Sequence, residues 1–348
     1  MPYCKEILSE QQREAVKRLI DSSQSIAIVC HMTPDGDALG SSLFLQHILR
    51  AAGHKATVIV PDQPPQFLMF LPGADEIVVA SRYTERARVA LQTSDLTICL
   101  DFNDLKRIDR LAPMVEDGSP RRLVVDHHMN PSIEADIVIS HPEKSSTSLL
   151  VYQIAEEIGL SDLISRDAAT CCLTGMLTDT GGLAYNSLDP DLYLAVARMV
   201  ELGVDKDQLY IRLFNVHSET SIRISGYAQS MKMDLVAGGR GALITLSGSE
   251  LKDFGYQKGD TEGLVNIPLA IPGVQFSIYL REDEPEFVKV SMRSRGEFSV
   301  KELCERYFGG GGHLNAAGGE VHGSLSQAIQ RVIDIIPEAE RMLAEIES

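Results

Sequence analysis

The chain has 348 residues, more than the roughly 250–300 at which a single hydrophobic core stops growing, so two domains are expected. With 44% hydrophobic and 23% charged residues it reads as globular rather than disordered, fibrous or disulfide-stapled. The formal charge of −17 argues against a firm grip on long nucleic acid, which needs many Lys and Arg contacts to phosphates; a short phosphorylated ligand stays open, because metal ions can build a local positive site.

The N-terminal stretch MPYCKEILSEQQREAVKRLI mixes acids and bases and has no signal-peptide core, and no run approaches ~18 apolar residues. A soluble cytoplasmic protein without a membrane contact is therefore expected. The six cysteines lack metal-ligand spacing, and Cys171 and Cys172 sit in the apolar stretch AATCCLTGML, so all six are read as reduced and structural.

In chain order, the pattern predicts an amphipathic helix over 10–21 and then short apolar runs alternating with helices: IAIVC (26–30), ATVIV (56–60), LTICL (96–100) and RLVVD (122–126). Such alternation indicates βαβ units, and continuously apolar runs indicate parallel strands covered on both faces. The helix after the first run begins near Asp37, carries Leu45, Ile48, Leu49 and Ala52 on one stripe, and stops at Gly53. From 145 to 203 the pattern is mostly helical, opened by the capping-type run SSTS. A polar helical stretch over 205–232 reads as a connection between a first domain, 1–204, and a second, 233–348. In the second, strands GALITLS (241–247), VQFSIYL (274–280) and EFVKVSM (286–292) precede the helix SVKELCERYF, the run GGGGHLNAAGG (309–319) and a closing helix from Ser324. The predicted class is thus α/β, a parallel-sheet first domain with a smaller α+β second domain.

Three apolar runs end in metal-competent residues: His31 after the first, Asp101 after LTICL, and Asp126-His127-His128 after LVV. Carboxyl ends of parallel strands are where open sheets bind ligands. HMTPDGD puts His31, Asp35 and Asp37 on one tight loop stiffened by Pro34. Simpler readings exist for each group. Asp37 would serve as a helix N-cap, Asp101 of DFND as a strand-end turn acid, the paired histidines as part of a solvated loop, and Asp179 of LTDTGG as a helix terminator. Together they form a carboxylate and imidazole set suited to Mn²⁺, Mg²⁺ or Co²⁺ rather than thiolate zinc. Four aspartates, Asp35, Asp37, Asp101 and Asp179, balance two divalent charges, with His31 and His127 neutral, and a shared carboxylate could bridge ions about 3.5–4 Å apart.

In the second domain, repeated glycines let backbone amides approach an anion, and His313 lies inside the run, with Arg293 and Arg295 in the preceding SMRSR. The plainer readings are a flexible loop and, for Arg295, a solvated charge.

The motifs HMTPDGDALGS, DFND, DHH and TDTG, in that order and followed by GGGGHLNAAGG, resemble the DHH phosphoesterase superfamily over nearly the whole chain. The resemblance implies one metal at His31, Asp35 and Asp101 and a second at Asp37, Asp101, His127 and Asp179, with Asp101 as bridge. It further implies that His128 faces the substrate, that Asp126 supports the neighbouring histidines, that Gly310, Gly311, Gly312, His313, Arg293 and Arg295 contact substrate, and that the active site lies between the domains. In length and two-domain plan the chain is similar to the short-oligoribonuclease and pAp-phosphatase branch. No preceding membrane or sensor segment, as in membrane-bound cyclic-dinucleotide phosphodiesterases, and no extra domain, as in RecJ-type exonucleases, is expected, and the SRKKQ-type signature of family pyrophosphatases is not found in the sequence. The expected activity is hydrolysis of short RNA, linear dinucleotides such as pApA, or pAp, with two divalent cations, Mn²⁺ first among them. The alternatives are pyrophosphate or polyphosphate hydrolysis, cyclic-dinucleotide hydrolysis, and nucleotide sensing without turnover. Expected partners are short oligonucleotides or small nucleotides and no long nucleic acid; a homodimer is left open.

Overall fold

Helix α1 (Glu10–Asp21) begins at Ser9, whose hydroxyl accepts from Gln12 N while the Gln12 side chain returns to the Ser9 amide, a reciprocal cap that fixes its start. The computed structural model describes residues 4–119 and 121–347. It comprises two compact units, Met1–Val216 and His217–Ser348, whose division falls inside the predicted connection 205–232.

The first unit continues through β1 (Ser25–Val29), α2 (Gly36–Ala51), β2 (Lys55–Val60), β3 (Val78–Val79), α3 (Thr84–Gln92), β4 (Leu96–Leu100), α4 (Ala112–Glu116), β5 (Arg122–Asp126) and β6 (Ile137–Ser140). Four helices follow: α5 (Thr147–Glu157), α6 (Arg166–Asp179), α7 (Pro190–Glu201) and α8 (Lys206–Phe214). Its sheet is wholly parallel in the order β3-β2-β1-β4-β5-β6. The apolar runs are continuous because both faces are covered. Ile26 and Ile28 of β1 pack into one buried cluster with α2 and α5, whereas Ala27 and Val29 pack into another with Ala87 and Leu91 of α3. The chain leaves β1 toward β2 on one side and reaches β4 on the other, so strand order reverses between β1 and β4. Ligands of such sheets bind outside the carboxyl ends at that reversal.

Helices α2, α5 and α6 meet over this crevice at unusually short range. A Cβ at Gly40 would stand 2.6 Å from the Cys171 carbonyl, and one at Gly175 would stand 1.9 Å from Ser148 Oγ and 2.6 Å from Asp37 Oδ1. Only glycine lets the helices close while leaving room for the Asp37 carboxylate. The structure removes one plainer reading of α2 and corrects one expectation. Its N-cap is Asp35, whose Oδ1 accepts from Asp37 N and Ala38 N at 3.0 Å each, so Asp37 is not the cap. Ala52 is the exposed C-cap, one residue beyond the helix end at Ala51.

The second unit contains α9 (Glu219–Met231), β7 (Met233–Val236), β8 (Gly241–Leu246), α10 (Gly248–Phe254), β9 (Phe276–Glu284), β10 (Phe287–Ser294), α11 (Val300–Tyr307), β11 (Gly311–His313), β12 (Ala316–His322) and α12 (Leu325–Glu347). Its mixed sheet runs β11-β12-β10-β9-β8-β7, with β8 and β9 parallel and the other neighbours antiparallel. Val288, Val290 and Met292 of β10 face a core completed by α11 and α12. The glycine run is therefore not a loop: it is most of a hairpin, β11 and β12. A Cβ at Gly310 would lie 1.9 Å from the Gly318 carbonyl, which gives that glycine a packing reason of its own. All six cysteines are free and buried, and burial pushes the Cys4 thiol up to about 12 and that of Cys304 to about 11.

Candidate metal centre

Strand ends and helix ends deliver the acidic set to one place. β1 runs into His31, β4 into Asp101, and β5 ends on Asp126 before His127 and His128; Asp35 and Asp37 come from the start of α2, and Asp179 is the last residue of α6. Ligand-capable atoms fall in three groups, each within 4.8 Å: His31, Asp35 and Asp101; Asp37, His127 and Asp179; and Asp101, His127 and His128.

Asp101 joins the groups by dividing its oxygens. Oδ2 lies 3.3 Å from His31 Nε2, while Oδ1 lies 3.5 Å from His127 Nε2. Its backbone sits at φ 65°, a left-handed conformation that aspartate tolerates better than most residues but that still marks a constrained site. His127 Nε2 is also 3.4 Å from Asp179 Oδ2, and His31 Nε2 is 3.7 Å from Asp35 Oδ2. Asp35 thus caps α2 through one oxygen and faces His31 through the other.

Both imidazoles are set to coordinate. His31 Nδ1 is 2.7 Å from the Met32 carbonyl and His127 Nδ1 is 3.3 Å from the Lys144 carbonyl. Each carbonyl can only accept, so Nδ1–H donates and Nε2 is the ring atom turned toward the carboxylates, where a cation would replace its proton. Asp37 is fully buried, and its two oxygens accept from the first amides of α5, Thr147 N at 2.6 Å and Ser148 N at 2.8 Å. A helix N-terminus carries partial positive charge, which suits a carboxylate that has lost its water.

The charges are in conflict without a cation. Burial, then the neighbouring Asp101 charge, raises Asp37 to about 7. Burial, then Asp37, Asp35 and Asp101, raises Asp179 well above the usual carboxylate range. Burial works against the His31 imidazolium, yet Asp101 and Asp35 outweigh it and hold the group well above its ordinary value. Asp101 is itself held low by His31, His127 and His128 despite its burial. Four carboxylates and two oriented imidazoles fit a pair of divalent cations.

A pH dependence follows. An acid raised in the folded state binds more protons folded than unfolded, so its contribution weakens as pH rises from about 4 to about 7; a raised histidine loses its contribution as pH rises through its folded value. Both signs agree. The Tm of chelator-treated protein should fall between pH 5 and pH 8, and divalent metal should restore it most at pH 8, where protons no longer compete. Differential scanning fluorimetry with and without EDTA checks this; a metal-free Tm that rises with pH would count against the crowding.

His128 adjoins this set, with Nδ1 3.7 Å from Asp101 Oδ1, but its nearest partner is a different acid. Its Nδ1 is 2.7 Å from Asp126 Oδ1, and its ring meets that of His127 edge to face at 4.7 Å. Asp126 is fully buried, and its Oδ2 has no hydrogen-bond partner among the described residues. Sequence reasoning missed Thr147, whose hydroxyl donates to Asp101 Oδ1 at 3.0 Å. The SSTS run was visible only as a helix start.

In the second unit, register puts Arg293 opposite Ala316, and Ala316 opposite His313, so Arg293 and His313 share the sheet face away from the core. Arg293 Nη1 donates to the Met292 carbonyl at 2.9 Å, while Arg295 and His313 are exposed. A cavity of about 530 Å³ on this unit is lined by Gly309, Gly310, Gly318 and Gly319 with Arg281 and Lys289, and also by Glu262 and Glu320. Gly310 is thus the predicted contact that borders it; Arg293, Arg295, Gly311, Gly312 and His313 do not. Arg281 and Lys289 carry no sequence motif and were not foreseen.

Comparison with known proteins fits this geometry. Residues 25–176 match the DHH family, N-terminal domain, and residues 241–340 match the DHHA1 domain. The bifunctional oligoribonuclease and PAP phosphatase NrnA of Thermus thermophilus is 31% identical over 314 residues, spanning 90% of this chain and 89% of that protein. This chain belongs to the DHH family. An exopolyphosphatase-related protein from Bacteroides fragilis, known from its crystal structure, is 40% identical with TM-score 0.95, covering 98% of this chain and 99% of that one. RecJ from Thermus thermophilus, crystallised with Mn²⁺, shares the fold at 15% identity and TM-score 0.55, over 96% of this chain and 55% of RecJ. As a DHH-family protein the chain is a metal-dependent phosphoesterase. Among the described residues no helix is long and apolar enough to cross a membrane.

Proposed function

We propose that this DHH-family protein hydrolyses short oligoribonucleotides, linear dinucleotides such as pApA, and pAp, releasing nucleoside monophosphates in the cytoplasm. The observation that carries the reading is the division of the Asp101 carboxylate between two donor groups at the strand-order reversal. The NrnA name of the Thermus relative supports the substrate class. Mn²⁺ is the preferred ion in this reading, with His31, Asp35 and Asp101 holding one cation and Asp37, Asp101, His127 and Asp179 the other.

A bound pair of divalent cations supplies charge neutralisation and Lewis acidity to an in-line phosphoryl displacement. The chain's own residues prepare for it. The carbonyls of Met32 and Lys144 fix the tautomers of His31 and His127, and the α5 amides pin Asp37. His128 hands a proton from Nε2 to the leaving oxygen, and the contact of its Nδ1 with Asp126 keeps the ring oriented for the transfer. The exposed sheet face bearing Arg293 and His313 selects the substrate by its terminal phosphate or nucleotide.

Arg293→Ala should therefore raise KM for dinucleotides by roughly 10- to 150-fold, the equivalent of a charged contact of about 1.5–3 kcal/mol, and leave metal binding intact. Wild type should cut two- and five-nucleotide RNA far faster than a twenty-four-mer, since a net charge of −17 provides no long basic track. Steady-state kinetics on the three lengths checks both points; equal efficiency on all three removes the length selection. The name of the Bacteroides fragilis structure favours a second reading, polyphosphate or pyrophosphate hydrolysis. Assaying purified protein with Mn²⁺ against pAp, pApA, cyclic dinucleotide, pyrophosphate and polyphosphate, with products separated by chromatography, decides between the readings.

A further inference from the structure

The segment 144–148 touches three of the proposed ligands, although it contains none. The Lys144 carbonyl accepts from His127, the Thr147 and Ser148 amides hold Asp37, and the Thr147 hydroxyl donates to Asp101. The segment is itself anchored. Lys144 is nearly buried, and its Nζ lies 2.7 Å from Asp189 Oδ2 and 3.0 Å from Asp191 Oδ2; Asp189 is the N-cap of α7. Asp191 receives further donors from Gln153 Nε2 at 3.3 Å and Lys5 N at 3.1 Å, so the anchor is tied to α5 and to the chain's start as well.

The hydroxyl contact has a specific consequence. The terminal torsion of an aspartate is broad, so its rotamer alone does not fix which way the carboxylate plane faces. Asp101 must present Oδ2 toward His31 and Oδ1 toward His127 at once. Thr147 Oγ1 is fully buried and spends its proton on Oδ1 at 3.0 Å, which holds that plane. We propose that Thr147 is a positioning residue that sets the carboxylate plane of Asp101 for simultaneous service to both metal groups, on a segment braced by Lys144 against Asp189 and Asp191. The inference rests on the two-cation reading above.

Breaking the brace directly would strand two acids beside a buried gap, so the test uses Thr147. Thr147→Val keeps the shape and removes the proton; Thr147→Ser keeps the proton and removes a methyl. Mn²⁺ is titrated into the chelator-treated full chain by calorimetry, metal-free Tm is recorded, and kcat and KM for pApA are separated. Thr147→Val should bind Mn²⁺ about 10- to 100-fold more weakly, the usual effect of losing a group that orients a ligand. It should also lose kcat rather than raise KM, and Thr147→Ser should recover most of both. Wild-type affinity in Thr147→Val overturns the proposal, and so does a Thr147→Ser variant as impaired as Thr147→Val, which would make the methyl the working part. Wild type that binds fewer than two Mn²⁺ instead defeats the underlying two-cation reading, independently of either variant.

Discussion

Asp101→Asn should lose about 10³-fold or more in kcat, since a cation pair contributes several kcal/mol to the transition state and each 1.4 kcal/mol is tenfold. Asparagine is the informative replacement. It tolerates the left-handed backbone at φ 65° at least as well as aspartate, so the fold is kept and the loss reports on the charge. It also leaves an atom able to accept from Thr147, but it can no longer offer an anionic oxygen to each donor group. Metal content should therefore fall at both sites together, whereas Asp35→Asn, which touches only the His31 group, should weaken one. Inductively coupled plasma analysis of the purified variants measures this. Two full equivalents retained in Asp101→Asn with normal turnover would rule out the shared carboxylate.

His128→Asn should behave differently, keeping both metals and losing about 10²–10⁴-fold in kcat, the usual contribution of a general acid. The amide nitrogen of asparagine reaches the position of Nδ1, so the contact to the buried Asp126 survives and only Nε2 is removed. The rival reading comes from the geometry itself, because His128 also falls within 4.8 Å of Asp101 and His127 as a third ligand-capable residue. Loss of one metal equivalent in this variant would make His128 a ligand. An unchanged rate on a substrate with a good leaving group, set against a large loss on RNA, would instead point to proton donation, since a good leaving group needs no acid.

The parallel sheet was legible because its strands are covered on both faces and so appear as unbroken apolar runs; the same property pointed to His31, Asp101 and the DHH triplet, which stand where those runs stop. Short or partly exposed strands were not. β3 has two residues, and β6 alternates exposed and buried positions around Val138 and Ile139, too weak a signal beside loops rich in Pro, Ser and Asp. The hairpin of β11 and β12 was hidden for another reason. Glycines at 311, 312, 318 and 319 leave few side chains to alternate, so a strand pair held by close backbone approach looks like a loop.

The ligand roles were harder to separate from local ones. Asp35 and Asp37 both looked like caps, and only the fold shows Asp35 capping α2 while Asp37 turns inward onto α5, 110 residues away in the chain. Thr147 lies 46 residues from Asp101 and carries no pattern of its own. Contacts of that range are set by packing, which in this case depends on Gly40 and Gly175 letting three helices close over the crevice.

A crystal of the wild-type protein soaked in Mn²⁺ and measured at the manganese edge bears most directly on the shared carboxylate. The anomalous map should show two peaks about 3.5–4 Å apart, one beside His31 and Asp35, the other beside Asp37, His127 and Asp179, with an oxygen of Asp101 bonded to each. A single peak, or two peaks of which only one is bonded to Asp101, would show that the two donor groups do not act as one centre.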